Sequence, residues 1–337
     1  MRPRLILSGL ILMTLLLAVL NMVCGSVDIP AAQVFRILSG GEADKPSWAY
    51  IVMESRLPQM CTAILCGACL SVSGLLLQTC FHNPLAGPSI LGITNGASLG
   101  VALVMLVSGG VIGMSASGNH VAGFLAVAVA AFAGAMGIIL LLLFLSRFVT
   151  SNLLFLIVSI LIGNLTSSIV SLCNFFANAD NVHSYVMWGM GSFSDVNLGQ
   201  LPLFAALSVA GLLLSLLLSK RLDLLLLGDR YATNLGIDIR ATRRLVLSAT
   251  GILTAIATAF CGPVAFIGLA VPHIARLMVR TSNHMVLTPV TMLTGAVIAL
   301  LCNLLCILPG NLIIPLNAMT PVFGAPVILY ILLSKKA

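Results

Sequence analysis

Long apolar runs alternate with short polar connections along the whole chain, and the runs lack the period-two alternation of a half-buried strand. A run of about twenty residues, wound as a helix, crosses roughly 30 Å of hydrocarbon. No water satisfies backbone groups inside a bilayer, so spanning elements are helices or closed barrels, and the missing alternation selects helices. The pattern predicts ten spans, at 5–23, 57–80, 90–108, 121–145, 152–174, 198–219, 244–262, 267–280, 286–307 and 318–334. The expected fold class is an all-α integral membrane protein of about ten transmembrane helices in a single domain, 1–337. The first run follows Met-Arg-Pro-Arg, is long and has no A-x-A site after it, so it reads as an uncleaved anchor rather than a signal peptide.

Composition agrees with a lipid solvent. Of 337 residues, 60% are hydrophobic and 7% charged, with mean hydropathy +1.15, against about 25% charged in soluble domains. The formal charge of +7 raises the question of nucleic acid, but the basic residues are dispersed over short loops and no nucleic-acid partner is expected. With the N-terminus in the cytoplasm, that side holds Arg2, Arg4, Arg147, Lys220, Arg221, Arg230, Arg240, Arg243, Arg244, Arg276, Arg280, Lys335 and Lys336. These are thirteen of sixteen cations, and only Arg36, Lys45 and Arg56 remain outside. Both termini are therefore expected in the cytoplasm. Asp28, Glu42, Asp44, Glu54, Asp180 and Asp195 fall on external segments.

One inside connection is long. Residues 220–244 read KRLDLLLLGDRYATNLGIDIRATRR, too charged to span and too patterned for a random linker, so a partner is expected to dock there. Within the spans, Gly92, Gly96 and Gly100 repeat every four residues and predict a flat face for close helix packing. Gly67, Ser71 and Gly74 do the same in the preceding span. In the fifth span Ser159, Gly163, Ser167, Ser171 and Asn174 share an arc of about 120°. Such a stripe either lines an aqueous path or hydrogen-bonds to a neighbouring helix, and periodicity alone leaves both open.

No Asp, Glu, Lys or Arg stands at the midpoint of any span, which counts against an ion-coupled secondary transporter, the alternative of a different class. The chain has no G-x-x-x-x-G-K-[ST] phosphate loop, H-E-x-x-H zinc helix or G-x-S-x-G elbow, so no catalytic residues are assigned. The nine cysteines lie almost all in apolar runs, and Cys66 and Cys69 read as small packing residues. The five histidines lack ligand spacing. No metal and no cofactor is expected.

Four blocks resemble the FecCD-type permeases of ABC importers for siderophores, haem and cobalamin. The first is RLPQ (56–59), then GACLSVSGLLLQ (67–78) and HNPLAGPSILGITNGASLG (82–100). The others are GDRYATNLGIDI (228–239), GPVAFIGLAVPHIAR (262–276) and TPVFGAPVILY (320–330). The resemblance implies a type II ABC importer permease: a homodimer in the bacterial inner membrane, two cytoplasmic ABC ATPase subunits and an external, periplasmic substrate-binding protein. ATP hydrolysis then belongs to the partners, and this chain is not an enzyme. The second block implies ATPase coupling through Gly228, Asp229, Leu235 and Gly236. The family's cytoplasmic gate falls on Thr150 and Ser151, below the polar stripe, which favours the aqueous-path reading. Arg56 matches an arginine presented to the binding protein, against the alternatives of a snorkelling side chain or a partner for Glu54. Gln59, Ile313 and Asn317 depart from residues common in the family, which weakens docking at the outer corner. Ferric siderophore is the first expectation for the ligand, with haem or cobalamin next.

Overall fold

The computed structural model describes residues 3–107, 120–149, 151–307 and 314–334, and among them every regular element is helical. In chain order these are α1 (Pro3–Val23), α2 (Ala31–Leu38) and α3 (Pro46–Tyr50), which runs through a π-helical turn at Ile51–Arg56 into α4 (Leu57–Cys80). Then come α5 (Ile93–Ala102), continued as π-helix over Leu103–Val107, α6 (His120–Leu145), α7 (Asn152–Phe176) and α8 (Ala179–Gly189). The rest are α9 (Leu201–Leu217), α10 (Ser219–Leu225), α11 (Asp229–Asn234), α12 (Ile239–Cys261), α13 (Ile267–Val279), α14 (His284–Ile307) and α15 (Leu316–Ser334).

Each of the ten expected segments carries a helix, but the count of full spans is corrected. Among the described residues six helices are long and apolar enough to cross a membrane, or seven if α9 and α10, bent by 45°, form one span. The segments at 90–108 and 267–280 give the shorter apolar helices Ile93–Val107 and Ile267–Val279, and α15 counts as a short apolar helix over Leu316–Leu329. Fifteen residues of ideal α-helix reach only about 22 Å, short of the hydrocarbon thickness. The chain before Ile93 is used in turns at 81–92, and before Ile267 in the irregular stretch 262–265.

The central helix is α4, buried almost all round and packed against α9, α12, α13 and α14. Lipid supplies no hydrophobic drive between helices, so backbones must approach closely to gain dispersion contacts. A Cβ on Gly67 would run into the Gly295 carbonyl, and one on Gly74 into that of Gly268. Gly96 and Gly100 serve α5 in the same way, since added Cβ atoms would strike Ile138 and the carbonyl of Ala130 on α6. Gly92 does not complete that face. It precedes α5 with φ +75°, a left-handed conformation that favours glycine, and abuts Gly163 of α7.

Candidate translocation path and coupling surface

The predicted stripe on α7 divides between two faces. Ser159 is buried and donates to Phe155 O at 2.7 Å. Asn95 Nδ2 on α5 donates to Gly163 O at 2.9 Å and to Ser167 Oγ at 3.1 Å. Ser159 and Gly163 are thus buried against α5, Ser167 stays exposed while accepting from Asn95, and the Asn174 Oδ1 is buried. Within this subunit the hydrogen-bonding alternative describes that part of the stripe. Ser171 is exposed, as are Asn164 and Ser168, which the predicted stripe does not include. At 100° per residue Ile157, Leu161, Asn164, Ser168, Ser171 and Phe175 fall in an arc of about 80°, and all six are exposed. The i, i+4, i+7 spacing of Asn164, Ser168 and Ser171 was the available signal.

Ser151 is the N-cap of α7, with extended backbone and its Oγ accepting from Leu154 N at 3.5 Å, the long limit for such a bond. It lines a cavity of about 540 Å³ with Phe81, Arg147, Phe155, Arg240 and Arg244. Phe81 and Phe155 stack at 5.4 Å, tying the end of α4 to the start of α7. Thr150 lies outside the described residues.

The segment 220–244 holds two short helices, α10 and α11, before α12. Gly236 closes α11 with φ +85°. The N–H of Gly236 donates to Thr233 O at 2.9 Å and that of Ile237 to Ala232 O at 3.1 Å, the two bonds of a Schellman cap. Gly228 opens α11 with φ +95°. Of Asp229, which begins α11, only the backbone placement is described. Leu227, Tyr231 and Leu235 around this turn are 56%, 69% and 59% exposed, an apolar surface on an otherwise charged segment. The segment is tied to the bundle by His82, whose Nε2–H donates to Leu225 O at 3.0 Å, and by Asp223, which accepts from His284.

Arg56 is not displayed as an open cation. It is 5% exposed and donates from Nη1 to Met22 O and Val23 O, each at 2.8 Å, and from Nη2 to Val27 O. Met22 and Val23 end α1, where carbonyls lack intrahelical partners and the dipole is negative, so the guanidinium acts as a C-terminal cap supplied from another helix. Gly25 makes room for it, since a Cβ there would lie 2.6 Å from Nη2. Its partners are carbonyls, not Glu54.

At the same end of the bundle a cavity of about 460 Å³ is lined by Gln59, Trp188, Ser192, Asp195 and Asn303 among others. Partial burial pushes the Asp195 carboxyl up from its ordinary pKa, while the Ser192 hydroxyl pulls the other way. Gln59 Nε2 donates to Asn303 Oδ1 at 3.0 Å, and Asn303 Nδ2 donates to Asn21 Oδ1 at 2.7 Å, linking α4, α14 and α1. Asn317 is also internal. Its Nδ2 donates to Gly189 O at 3.0 Å and Pro263 O at 2.6 Å, while Oδ1 accepts from Ala265 N at 3.1 Å. Ile313 lies outside the described residues. Among the described residues no three His, Cys, Asp or Glu side chains gather as a metal-holding group.

Residues 11–334 match the FecCD transport family. The chain belongs to that family. This FecCD permease is 31% identical to the hemin transport system permease protein HmuU of Yersinia pestis, over 99% of this chain and 97% of that one. It is 33% identical to the molybdate import system permease protein MolB of Haemophilus influenzae, over 95% and 93%. Identity to the vitamin B12 import system permease protein BtuC of Klebsiella pneumoniae is 32%, over 99% and 95%. A solved structure described as a metal-chelate type ABC transporter in an inward-facing conformation superposes with a TM-score of 0.83 at 30% identity, covering 98% of this chain and 99% of the other. The FecCD permease is thus an all-α, multi-pass membrane subunit of the ABC importer type.

In this permease three of the four sequence blocks interlock. Gln78 from the first block donates to Leu269 O at 3.0 Å and accepts from Arg276 Nη1 at 2.6 Å, both in the third. His273 Nε2–H donates to Pro84 O at 2.7 Å. Gly324 of the fourth block packs on Phe266 of the third, where a Cβ would lie 2.6 Å from the Phe266 Cβ. These motif residues hold the short helix α13 against α4 and α15.

Proposed function

We propose that the chain is the permease of an importer that moves a metal chelate, haem or cobalamin, across the bacterial inner membrane, with both termini in the cytoplasm. The relatives named for hemin and vitamin B12 support those ligands over the ferric siderophore expected first. In this reading two copies form a homodimer, ATPase subunits press on Gly228, Asp229, Leu235, Gly236 and the apolar side chains between them, and a binding protein delivers ligand at the outer end. The observation that carries the path is the exposed face of α7. Asn164, Ser168 and Ser171 alternate there with Ile157, Leu161 and Phe175, and 152–176 contains no charged residue. Such a wall lets a large chelate pass without holding it. Ser151 and Thr150 form the constriction at the cytoplasmic mouth.

The test is reconstitution of the permease with its ATPase and binding protein in liposomes, with haem, cobalamin, a ferric siderophore and molybdate as cargo. ATP-dependent uptake of haem or cobalamin, given the cognate binding protein, is the expected result. Uptake of only the siderophore or molybdate refutes the ligand assignment. Uptake driven by an ion gradient without the ATPase refutes the importer mechanism.

A further inference from the structure

A groove of about 560 Å³ separates the last turns of α6 from the first turns of α12, and no residue of α7 lines it. Leu140, Leu143, Phe144 and Leu245 form its apolar walls, and Arg147 and Arg244 stand where α6 finishes and α12 begins. Leu140 and Phe144 are 60% and 55% exposed, so the groove is open along its apolar side. No carboxylate lines it. Asp238, which begins α12, is engaged as its N-cap, accepting from Ala241 N at 3.0 Å. Arg244 Nε donates to Arg240 O at 3.4 Å, which steers that side chain along the helix.

We propose that this groove binds an anionic phospholipid, its phosphodiester between Arg147 and Arg244 and its upper acyl chain along Leu140, Phe144 and Leu245. Guanidinium groups match phosphate oxygens with paired donors, and basic pockets between transmembrane helices recognise anionic headgroups. The apolar walls decide between a lipid and a free phosphate, because a soluble anion leaves them uncovered. They also decide against a carboxylate of the ATPase, since Leu140 lies about two turns of helix deeper than Arg147. The same two arginines line the cavity that contains Ser151. A lipid held here therefore sits behind the wall of the mouth.

The experiment uses the full chain purified in detergent, with bound lipid measured by native mass spectrometry. The probes are dioleoylphosphatidylglycerol, dioleoylphosphatidylcholine and inorganic phosphate. The wild type retains phosphatidylglycerol in preference to phosphatidylcholine, and millimolar phosphate does not displace it. Arg147→Gln with Arg244→Gln weakens phosphatidylglycerol binding about tenfold to thirtyfold and leaves phosphatidylcholine unchanged. Arg4→Gln, a change at the exposed start of α1, behaves as wild type. Leu140→Trp fills the groove while keeping both arginines, and it also expels the lipid, which covers the case in which the double variant does not fold. Equal retention of the two lipids, displacement by inorganic phosphate, or unaltered retention in Leu140→Trp overturns the proposal. So does a double variant that keeps its phosphatidylglycerol.

Discussion

Asp223 Oδ1 accepts twice from His284, from the ring Nδ1–H at 2.6 Å and from the backbone N–H at 2.8 Å. The backbone donor belongs to the first residue of α14, one of the N–H groups a helix cannot satisfy internally. Asp223 therefore caps α14 from another element, and its negative charge meets the positive end of the helix dipole. With Nδ1 protonated, His284 Nε2 accepts from Thr79 Oγ1 at 2.9 Å. One buried imidazole thus fastens α10, next to the proposed coupling turn, to both α14 and α4. If an ATPase docks on 220–244 as proposed, a push there has a polar route into the bundle through Asp223 and His284.

Asp223→Ala removes the acceptor for both donors, at a cost of about 1.5–3 kcal/mol for hydrogen bonds to a charged group. Thermal unfolding in detergent should move to lower temperature, and ATP-driven uptake should fall more than ATPase assembly does. Asp223→Asn keeps one acceptor oxygen and should lie between the two. Wild-type unfolding and uptake in Asp223→Ala would show that the contact does not couple the segments.

Gly236 has open space around it, with nothing within 4 Å of an added Cβ, but its φ of +85° is left-handed. Gly236→Ala should cost about 1–2 kcal/mol locally through backbone strain, while Gly236→Trp adds bulk to a surface with exposed Tyr231 and Leu235. The tryptophan variant should insert in the membrane normally and lose transport. Normal uptake rates with the ATPase assembled would remove this turn from the coupling surface.

Much of this was legible because lipid imposes simple rules. Apolar run length located the helix in each of the ten expected segments, though not the short α2, α3 and α8 between them, and the four-residue spacing of Gly96 and Gly100 marked a real close approach to α6. What the sequence hid was direction. The hydropathy of 90–108 and 267–280 could not reveal that turns shorten the helices there, and the polar arc on α7 could not tell which flank meets Asn95. Arg56 shows the same limit: a lone cation near a span end reads as displayed, and only the fold brings the end of α1 to it. The fastening of Asp223 to His284, sixty-one residues apart, has no periodic signature at all.

Arg56→Ala leaves the last carbonyls of α1 without their donor, at about 1.5–3 kcal/mol per charge-assisted bond. Yield of folded protein in the membrane should drop, with Arg56→Lys intermediate and Arg56→Glu worse than alanine, because a carboxylate would face three carbonyls. Gly25→Ala should resemble Arg56→Ala, since the methyl occupies the guanidinium site. Gel filtration and thermal unfolding report both. A well-folded Arg56→Ala that loses only salt-sensitive affinity for the binding protein would support the docking role instead.

The path assignment makes the sharpest prediction, because two faces of one helix compete for it. In a background with the nine native cysteines replaced, single cysteines at Asn164, Ser168 and Ser171 should be modified by water-soluble thiol reagents. Cysteines at Ser159 and Gly163, turned against α5, should be protected. Cysteines at Thr150 and Ser151 should crosslink to their own copies in the resting complex, blocking uptake while binding-protein capture persists. The N-cap of Ser151 complicates a stability readout, since losing a cap costs roughly 1 kcal/mol by itself, so crosslinking and uptake are the measurements that decide. If Ser159→Cys reacts and Asn164→Cys does not, the buried stripe faces the path and the exposed face of α7 meets lipid or another helix. If neither Thr150→Cys nor Ser151→Cys crosslinks with or without nucleotide, the mouth of α7 does not lie on the dimer axis.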